Sequence, residues 1–455
     1  MTCFKAYDVR GKVGVNFDSR IVYRIARALA QHLVSVRVVI GYDARQTSKV
    51  FAKAAAQGVL ESGADVLMIG LAGTEEMYWA VTEFNACAGI EVTASHNPIN
   101  YNGLKLVKAQ SMPLDSEKDF IRIKKLAENG KWGQARKKGR VFDISKEART
   151  KYVKKVIGFL NVNCLRRLKV VVNSGNGVAG PTFNVIKEYL ESLGTGVEFF
   201  HILDKPDHKF PKGIPNPLLQ ENQVITSNAV REKNADIGIA FDGDFDRCFF
   251  FDESGRFIPG EYIVGLLADI FLEKESGAKI IHDPRVIWNT TDIIKKKKGV
   301  ALQSRTGHAF FKEAMRKSKA VYGGEMSAHH YFRDFAYCDS GMIPCLLIIE
   351  LISRKKKSLG ELVQKRFEKF PSSGEKNYKV EDPNGILSKI FEVYKSEAMI
   401  DKTDGISFSF KNWRFNIRKS NTETLIRLNV EAKGSYNIVQ EKVESITKLI
   451  DNSNH

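Results

Sequence analysis

Three carboxylates, Asp242, Asp244 and Asp246, stand at alternate positions in Asp242-Gly-Asp-Phe-Asp-Arg. Acids this close repel one another unless a cation lies among them. Hard oxygen donors suit Mg²⁺ or Ca²⁺ rather than zinc. The chief competitor is a helix–loop–helix calcium loop. Its last ligand would fall on Glu253, which fits, but its glycine position is held by Arg247. The flanks Ile237-Gly-Ile-Ala-Phe and Cys248-Phe-Phe-Phe read as strands, not helices. The pattern points to a Mg²⁺ loop in a catalytic site. Ser95, in Thr93-Ala-Ser-His-Asn-Pro, follows another apolar run, and Pro98, Asn100, Asn102 and Gly103 mark a loop with fixed turns. A metal beside a serine oxygen suggests phosphoryl transfer, where a divalent cation offsets charge on the moving group. An acyl-transfer triad would not need three aspartates. Arg418-Lys-Ser-Asn-Thr-Glu adds a planar guanidinium fork and hydroxyl and amide donors, a set that suits phosphate oxygens.

The elements that must carry these loops repeat. Residues 36–40, 169–172 and 279–281 are apolar runs ending in Gly41-Tyr-Asp-Ala-Arg, Asn173-Ser-Gly-Asn-Gly and His282-Asp-Pro-Arg. Each is followed by a helix-length segment, a second apolar run (65–69, 197–202, 299–303) and a third (89–92, 236–241, 320–322). Short apolar runs separated by helices are the β-α-β signature of parallel sheets. The third runs end in Thr93-Ala-Ser-His-Asn-Pro, Asp242-Gly-Asp-Phe-Asp-Arg and Gly323-Gly-Glu-Met-Ser-Ala-His-His. Ligands bind beyond the carboxyl ends of such strands, so the three loops are expected to converge on one cleft. The last 80 or so residues differ. Ile406, Phe408 and Phe410, then Trp413, Phe415 and Ile417, then Ile426, Leu428 and Val430 alternate with polar residues, as in antiparallel sheet. Val439, Val443, Ile446 and Ile450 share one helical face. The expected fold is α/β: three successive similar α/β domains (1–145, 146–254, 255–370) and a C-terminal α+β domain (371–455), with the active site in the central cleft.

Composition sets bounds on function. The chain has 455 residues, 43% hydrophobic and 27% charged, a balance that excludes disorder and fibrous repeats. No apolar run approaches the roughly 20 residues that span a bilayer; residues 342–349 are broken by Pro344, closed by Glu350, and read as buried core. Met1-Thr-Cys-Phe-Lys does not resemble a secretory signal. The six cysteines form no C-x-x-C pair, which suits a reduced, cytoplasmic protein. The net charge of +17 is spread along the chain, with tight runs only at 295–298 and 355–357, near expected helix ends. No basic stretch interleaves with aromatics, so neither nucleic acid nor membrane is the expected partner. Such a field does attract a phosphorylated small substrate. A monomer is the expected state, with a dimer as the alternative. Trp79, Trp288 and Trp413 read as core, and His330 as structural.

Thr93-Ala-Ser-His-Asn-Pro with Tyr101-Asn-Gly-Leu-Lys, Asp242-Gly-Asp-Phe-Asp-Arg, Gly324-Glu-Met-Ser-Ala-His and Arg418-Lys-Ser-Asn-Thr together resemble the α-D-phosphohexomutases. They stand in that family's order, and the resemblance covers nearly the whole chain. The Glu-Met-Ser-Ala-His loop looks like the phosphomannomutase/phosphoglucomutase branch, of bacterial exopolysaccharide type. The resemblance implies reversible interconversion of mannose 6-phosphate and mannose 1-phosphate, through a phosphoserine and a hexose 1,6-bisphosphate, in supply of GDP-mannose. Glucose or glucosamine phosphates are the alternative substrates, and a non-catalytic phosphosugar- or nucleic-acid-binding protein is the remote alternative. It implies that Ser95 carries the phosphate, that Asp242, Asp244 and Asp246 hold Mg²⁺ with an oxygen from the Ser95 phosphate, and that Glu325 and Ser327 grip sugar hydroxyls with His329 alongside. Arg418, Ser420, Asn421 and Thr422 would hold the non-reacting phosphate. Arg10, His96, Lys105 and Arg247 would line the reacting side, with Lys105 or His329 moving the proton of the attacking hydroxyl. His308 reads equally as a helix-start residue or a donor lining the site. Arg305 stands where the family usually has Lys; since Arg does not deprotonate, a clamp on phosphate or hydroxyl is expected there. Thr424 replaces a common Pro, which should loosen the phosphate loop slightly.

Overall fold

The computed structural model describes residues 1–5, 8–135, 137–420 and 425–451. The chain forms two compact units: Met1–Phe257 with His329–Lys356, and Ile258–Ala328 with Lys357–His455.

In the first unit, the strands Ala88–Val92, Arg37–Tyr42 and Asp65–Leu71 lie side by side and parallel. Valines and isoleucines dominate them because both faces of a parallel sheet are covered. Val38, Ile40, Val66 and Ile90 are fully buried. Tyr101–Lys108 returns antiparallel to Ala88–Val92, and Val9–Lys12 pairs antiparallel with it in turn. The covering helix Ser19–His32 starts where the Asp18 carboxylate accepts from the Ile21 amide at 2.8 Å, an N-cap that satisfies an otherwise unpaired donor. It turns Val22, Ile25, Ala26 and Leu29 into the core. The second sheet repeats the plan. Ile237–Phe241, Leu168–Asn173 and Val197–Ile202 are parallel neighbours, and Cys248–Phe251 returns antiparallel to the first of them.

In the second unit, Lys279–His282 lies between Val300–Gln303 and Tyr322–Gly324, all parallel. Each of the three domains thus places its third strand beside its first, and its first beside its second. Five antiparallel strands follow in the order Ser372–Lys379, Leu425–Ala432, Trp413–Lys419, Ile406–Ser409, Met399–Asp401. Phe408, Phe415, Leu428 and Val430 share a core with Ile390 of the helix Pro383–Tyr394 and Ile446 of the helix Tyr436–Asp451. The fold is therefore α/β, three similar parallel-sheet domains followed by an α+β domain.

One expectation is corrected. Trp79 is buried and Trp413 is half-buried against the C-terminal core, but Trp288 is only half-buried. Their outer faces are covered by amphipathic lysines: Lys433 lies 4.5 Å over Trp288 and Lys442 5.3 Å over Trp413. His330 and the helix Met342–Lys355 are buried as expected. Among the described residues, no helix is long and apolar enough to cross a membrane.

Candidate active site

The strand Ala88–Val92 delivers its chain to a loop that holds Ser95 in the left-handed region, at φ 47°. A non-glycine residue pays for that conformation in strain, so the surroundings must hold it. Ser95 N donates to Thr93 Oγ1 at 2.8 Å. The guanidinium of buried Arg45 then ties the loop from below. Its Nη1 donates to the carbonyls of Pro98 (2.9 Å) and Tyr101 (3.0 Å), and its Nη2 to those of Ser95 (2.9 Å) and Asn97 (2.5 Å). Arg10, on the strand Val9–Lys12, donates to the Thr93 carbonyl.

The Ser95 hydroxyl donates to Asp242 Oδ2 at 2.9 Å. Asp242, Asp244 and Asp246 follow the strand Ile237–Phe241, are all buried, and bring carboxylate oxygens within 4.8 Å of one another. Lys105 Nζ donates to Asp244 Oδ2 at 2.8 Å and also to Asp246, and Thr74 Oγ1 donates to Asp244 at 2.6 Å. Arg247 donates to Asp242 through its amide (3.2 Å) and Nε (3.0 Å). Its Nη2 lies 2.6 Å from His96 Nδ1, which is also 3.0 Å from Ser95 Oγ. Since a guanidinium only donates, His96 Nδ1 accepts, and the ring carries its proton on Nε2. Burial, Arg247 and Arg10 all push His96 toward that neutral form. Burial pushes Asp242 up to about 6 against the pull of Arg247. Burial would raise Asp244 as well, but the Lys105 ammonium holds it below the usual carboxylate range. Lys105 in turn is raised: burial disfavours its charge, and Asp244 and Asp246 outweigh burial.

Asp244 Oδ1 and Asp246 Oδ1 are buried with no hydrogen-bond donor. Two orphaned carboxylate oxygens beside a third acid fit a hard divalent cation, and they fit zinc poorly. His329 meets this cage from a bridge with Arg247. Its Nδ1 is 3.0 Å from Asp339 Oδ2 and 4.0 Å from Asp246 Oδ1.

The second unit gathers the other set. Glu325 is buried and accepts from the Gly307 amide at 3.0 Å. Arg285 reaches Ser327 Oγ at 3.4 Å and Glu325 at 3.8 Å. Arg418 donates to Thr306 Oγ1 at 3.2 Å and to Glu375 at 3.1 Å. Ser420 closes the hairpin, its amide bonded to the Leu425 carbonyl at 2.9 Å. Asn421, Thr422 and Thr424 lie outside the described residues. His308 is half-buried and opens the helix His308–Ser318. Arg305 is exposed, its guanidinium 4.6 Å over the Phe310 ring.

Ser95, His96, Lys105, the three aspartates, Arg247 and His329 are thus brought together, and Arg10 joins them through Thr93. Sequence reasoning missed Arg45, Thr74, Asp339, Arg285 and Glu375. A signal for two of them was visible. Asp43 Oδ1 accepts from the Arg45 amide, and Asp283 Oδ1 from the Arg285 amide, each at 2.9 Å. Asn173 does the same for Gly175 at 2.8 Å. The three first strands end in one recurring side-chain turn, and in two of them the next-but-one residue is an arginine aimed at a functional loop.

Four family models match the chain. They are described as phosphoglucomutase/phosphomannomutase alpha/beta/alpha domain I (residues 1–133), domain II (150–255), domain III (259–370) and C-terminal domain (375–449). A protein of Escherichia coli K12 named phosphomannomutase is 50% identical over 454 residues, 99% of each chain. One of the same name from Vibrio cholerae is 49% identical over 457 residues, 99% of this chain and 98% of the other. Among solved structures, a phosphoglucomutase/phosphomannomutase family protein of Burkholderia thailandensis superposes with a TM-score of 0.87 at 26% identity, over 100% of this chain and 98% of that one. The parafusin phosphoglucomutase of Paramecium shares the fold at 17% identity, with a TM-score of 0.78 over 98% and 95% of the two chains. With the four domain models matched in order, and half of its residues shared from end to end with these relatives, the chain belongs to the α-D-phosphohexomutase family, in its phosphomannomutase branch.

Proposed function

We propose that the chain is a mutase that interconverts mannose 6-phosphate and mannose 1-phosphate. The observation that carries this reading is the Ser95 hydroxyl, strained and buried, bonded to Asp242 at the rim of an acidic cage with two orphaned oxygens. A phosphorylated Ser95 gives its phosphoryl group to the free hydroxyl of the bound hexose phosphate. The O–P bond to Ser95 breaks as one to the sugar oxygen forms. The hydroxyl proton passes to His329, whose ring Asp339 orients, and the freed Ser95 oxygen takes a proton from water to restore the hydroxyl that bonds Asp242. Both proton transfers reverse when the phosphoryl group returns. The resulting 1,6-bisphosphate turns over, and its other phosphoryl group returns to Ser95. Asp242, Asp244 and Asp246 would hold Mg²⁺, which supplies charge compensation for the transferred group when bound. Lys105 and Arg247 draw the phosphoryl oxygens with fixed positive charge. In the second unit, Glu325 and Ser327 grip sugar hydroxyls, and Arg418 and Ser420 hold the phosphate that is not being transferred. Asn421 and Thr422 complete that set, with Arg305 and His308 at its margin. The reading places the enzyme in the cytoplasm, as a monomer feeding GDP-mannose synthesis.

The test is a coupled assay with mannose 1-phosphate and glucose 1-phosphate in parallel, with Mg²⁺ and a trace of hexose 1,6-bisphosphate. Faster mannose turnover is expected. Ser95→Ala should remove nearly all of it, and the phosphoserine seen by mass spectrometry, with the circular dichroism unchanged. Turnover near the wild-type rate in that variant would refute the phosphoserine role. Faster glucose turnover would keep the chemistry and change the substrate.

A further inference from the structure

The register of Trp413–Lys419 against Leu425–Ala432 sets Arg418 directly opposite Arg427. Like charges at opposed positions of a sheet repel unless an anion lies between them. A third guanidinium, that of Arg285, comes from the turn after Lys279–His282. One carboxylate lies among all three. Glu375 Oε2 is 3.1 Å from Arg418 and 3.6 Å from Arg285, and its Oε1 is 3.4 Å from Arg427. A shift of register in the strand Ser372–Lys379, between Ser372 and Glu375, brings the side chain there. Burial alone would raise this carboxyl, yet Arg285, Arg418 and Arg427 hold it below its ordinary range.

One carboxylate does not satisfy three guanidinium groups. Each offers five N–H donors in a fixed fork. The Nε atoms of Arg285, Arg418 and Arg427 are all buried without an acceptor. Asp283 engages Arg285 at 2.8 Å, and Asp404 stands 3.8 Å from Arg418, yet all three Nε donors remain over. Converging, surplus guanidinium donors are what a phosphate dianion recognises.

We propose that Glu375 is the internal counter-ion of a three-arginine phosphate site that includes Arg427, and that substrate phosphate binds there by exchange with the Glu375 carboxylate. This deepens the mutase reading and rests on it for the role of Arg418. The exchange answers a problem that the reaction poses. A bisphosphate must leave this site with one phosphate and return with the other. Asp283 and Glu325 face Arg285, and Asp404 faces Arg418. Without Glu375, however, the facing Arg418 and Arg427 would share no close carboxylate, would hold a dianion too firmly and would be poorly solvated once it left. A partly exposed carboxylate on an adjacent strand can move in as the phosphate moves out. The site gives up affinity and gains speed of release.

Calorimetric titration with inorganic phosphate, at fixed pH and ionic strength, tests this on the full-length enzyme. Glu375→Gln should bind phosphate about tenfold more tightly than wild type, and Glu375→Asp close to wild type. Arg427→Met should bind several-fold more weakly. In turnover, Glu375→Gln should lower KM and kcat together, because release becomes slow. Equal or weaker phosphate binding by Glu375→Gln would overturn the proposal, since the carboxylate would then be bracing the arginines. Unchanged binding by Arg427→Met would remove that residue from the site. A folded wild type without mutase turnover would refute the functional reading beneath, and would leave the phosphate result standing.

Discussion

Arg45 carries a full charge into the serine loop and meets four neutral carbonyl oxygens there. Its use is geometric: two Nη groups in one plane fix the carbonyls of Ser95, Asn97, Pro98 and Tyr101 relative to each other. A lysine has the charge and lacks the plane. Arg45→Lys should therefore lower kcat about a hundredfold, the scale of loss from misplacing a reacting group by about 1 Å. KM should stay within a few-fold, since Arg45 is placed on the loop and not on the sugar. Steady-state kinetics beside a thermal melt reads this, and a wild-type kcat would show that the loop keeps its shape unaided. The grouping of the acids was legible in the sequence, where spacing alone carried it, as in the alternate aspartates. Arg45 was not, because nothing in Gly41-Tyr-Asp-Ala-Arg tells which distant carbonyls its fork will meet. Glu375 was hidden for a similar reason: it lies in Ser-Ser-Gly-Glu-Lys-Asn-Tyr-Lys, a strand without apolar alternation, and its position depends on a slip in register.

At the scale of elements, the three parallel sheets were legible because apolar runs of strand length recur at helix-length intervals. What holds one helix to another was less so. Glu75, in the first turn of the helix Thr74–Glu83, reads as an ordinary acid at a helix start. It is fully buried, and its Oε1 instead accepts the amides of Gly341 (3.0 Å) and Met342 (3.1 Å), at the start of the helix Met342–Lys355. Burial pushes this carboxyl from its ordinary value of 4.5 up to about 8. The folded chain then binds one more proton than the unfolded chain between those values. Stability from this group is greatest below pH 4.5 and falls by up to about 1.4 kcal/mol per pH unit as the pH rises toward 8. Glu75→Gln keeps the acceptor oxygen and removes the titration. Urea melts across that range should show a flatter stability profile for the variant than for wild type. Parallel profiles would mean that Glu75 stays charged in the fold.

For the molecule as a whole, the net charge of +17 acts on a dianionic substrate before any contact is made. Raising ionic strength from about 0.01 M to 0.15 M shortens the screening length from about 30 Å to 8 Å. kcat/KM for the hexose phosphate should fall several-fold over that range while kcat changes little. A flat kcat/KM would mean that encounter does not limit the reaction. The division of the chain into units has a consequence of another kind. The first unit is interrupted by residues 258–328 and completed only by His329–Lys356. A ribosome therefore finishes the aspartate cage well before it makes the histidine beside it, and the helix that Glu75 caps comes later still. A nascent chain that has reached Ala328 holds the aspartate cage without His329 or Asp339, and an uncovered core, so this unit can close only after much of the other has been made.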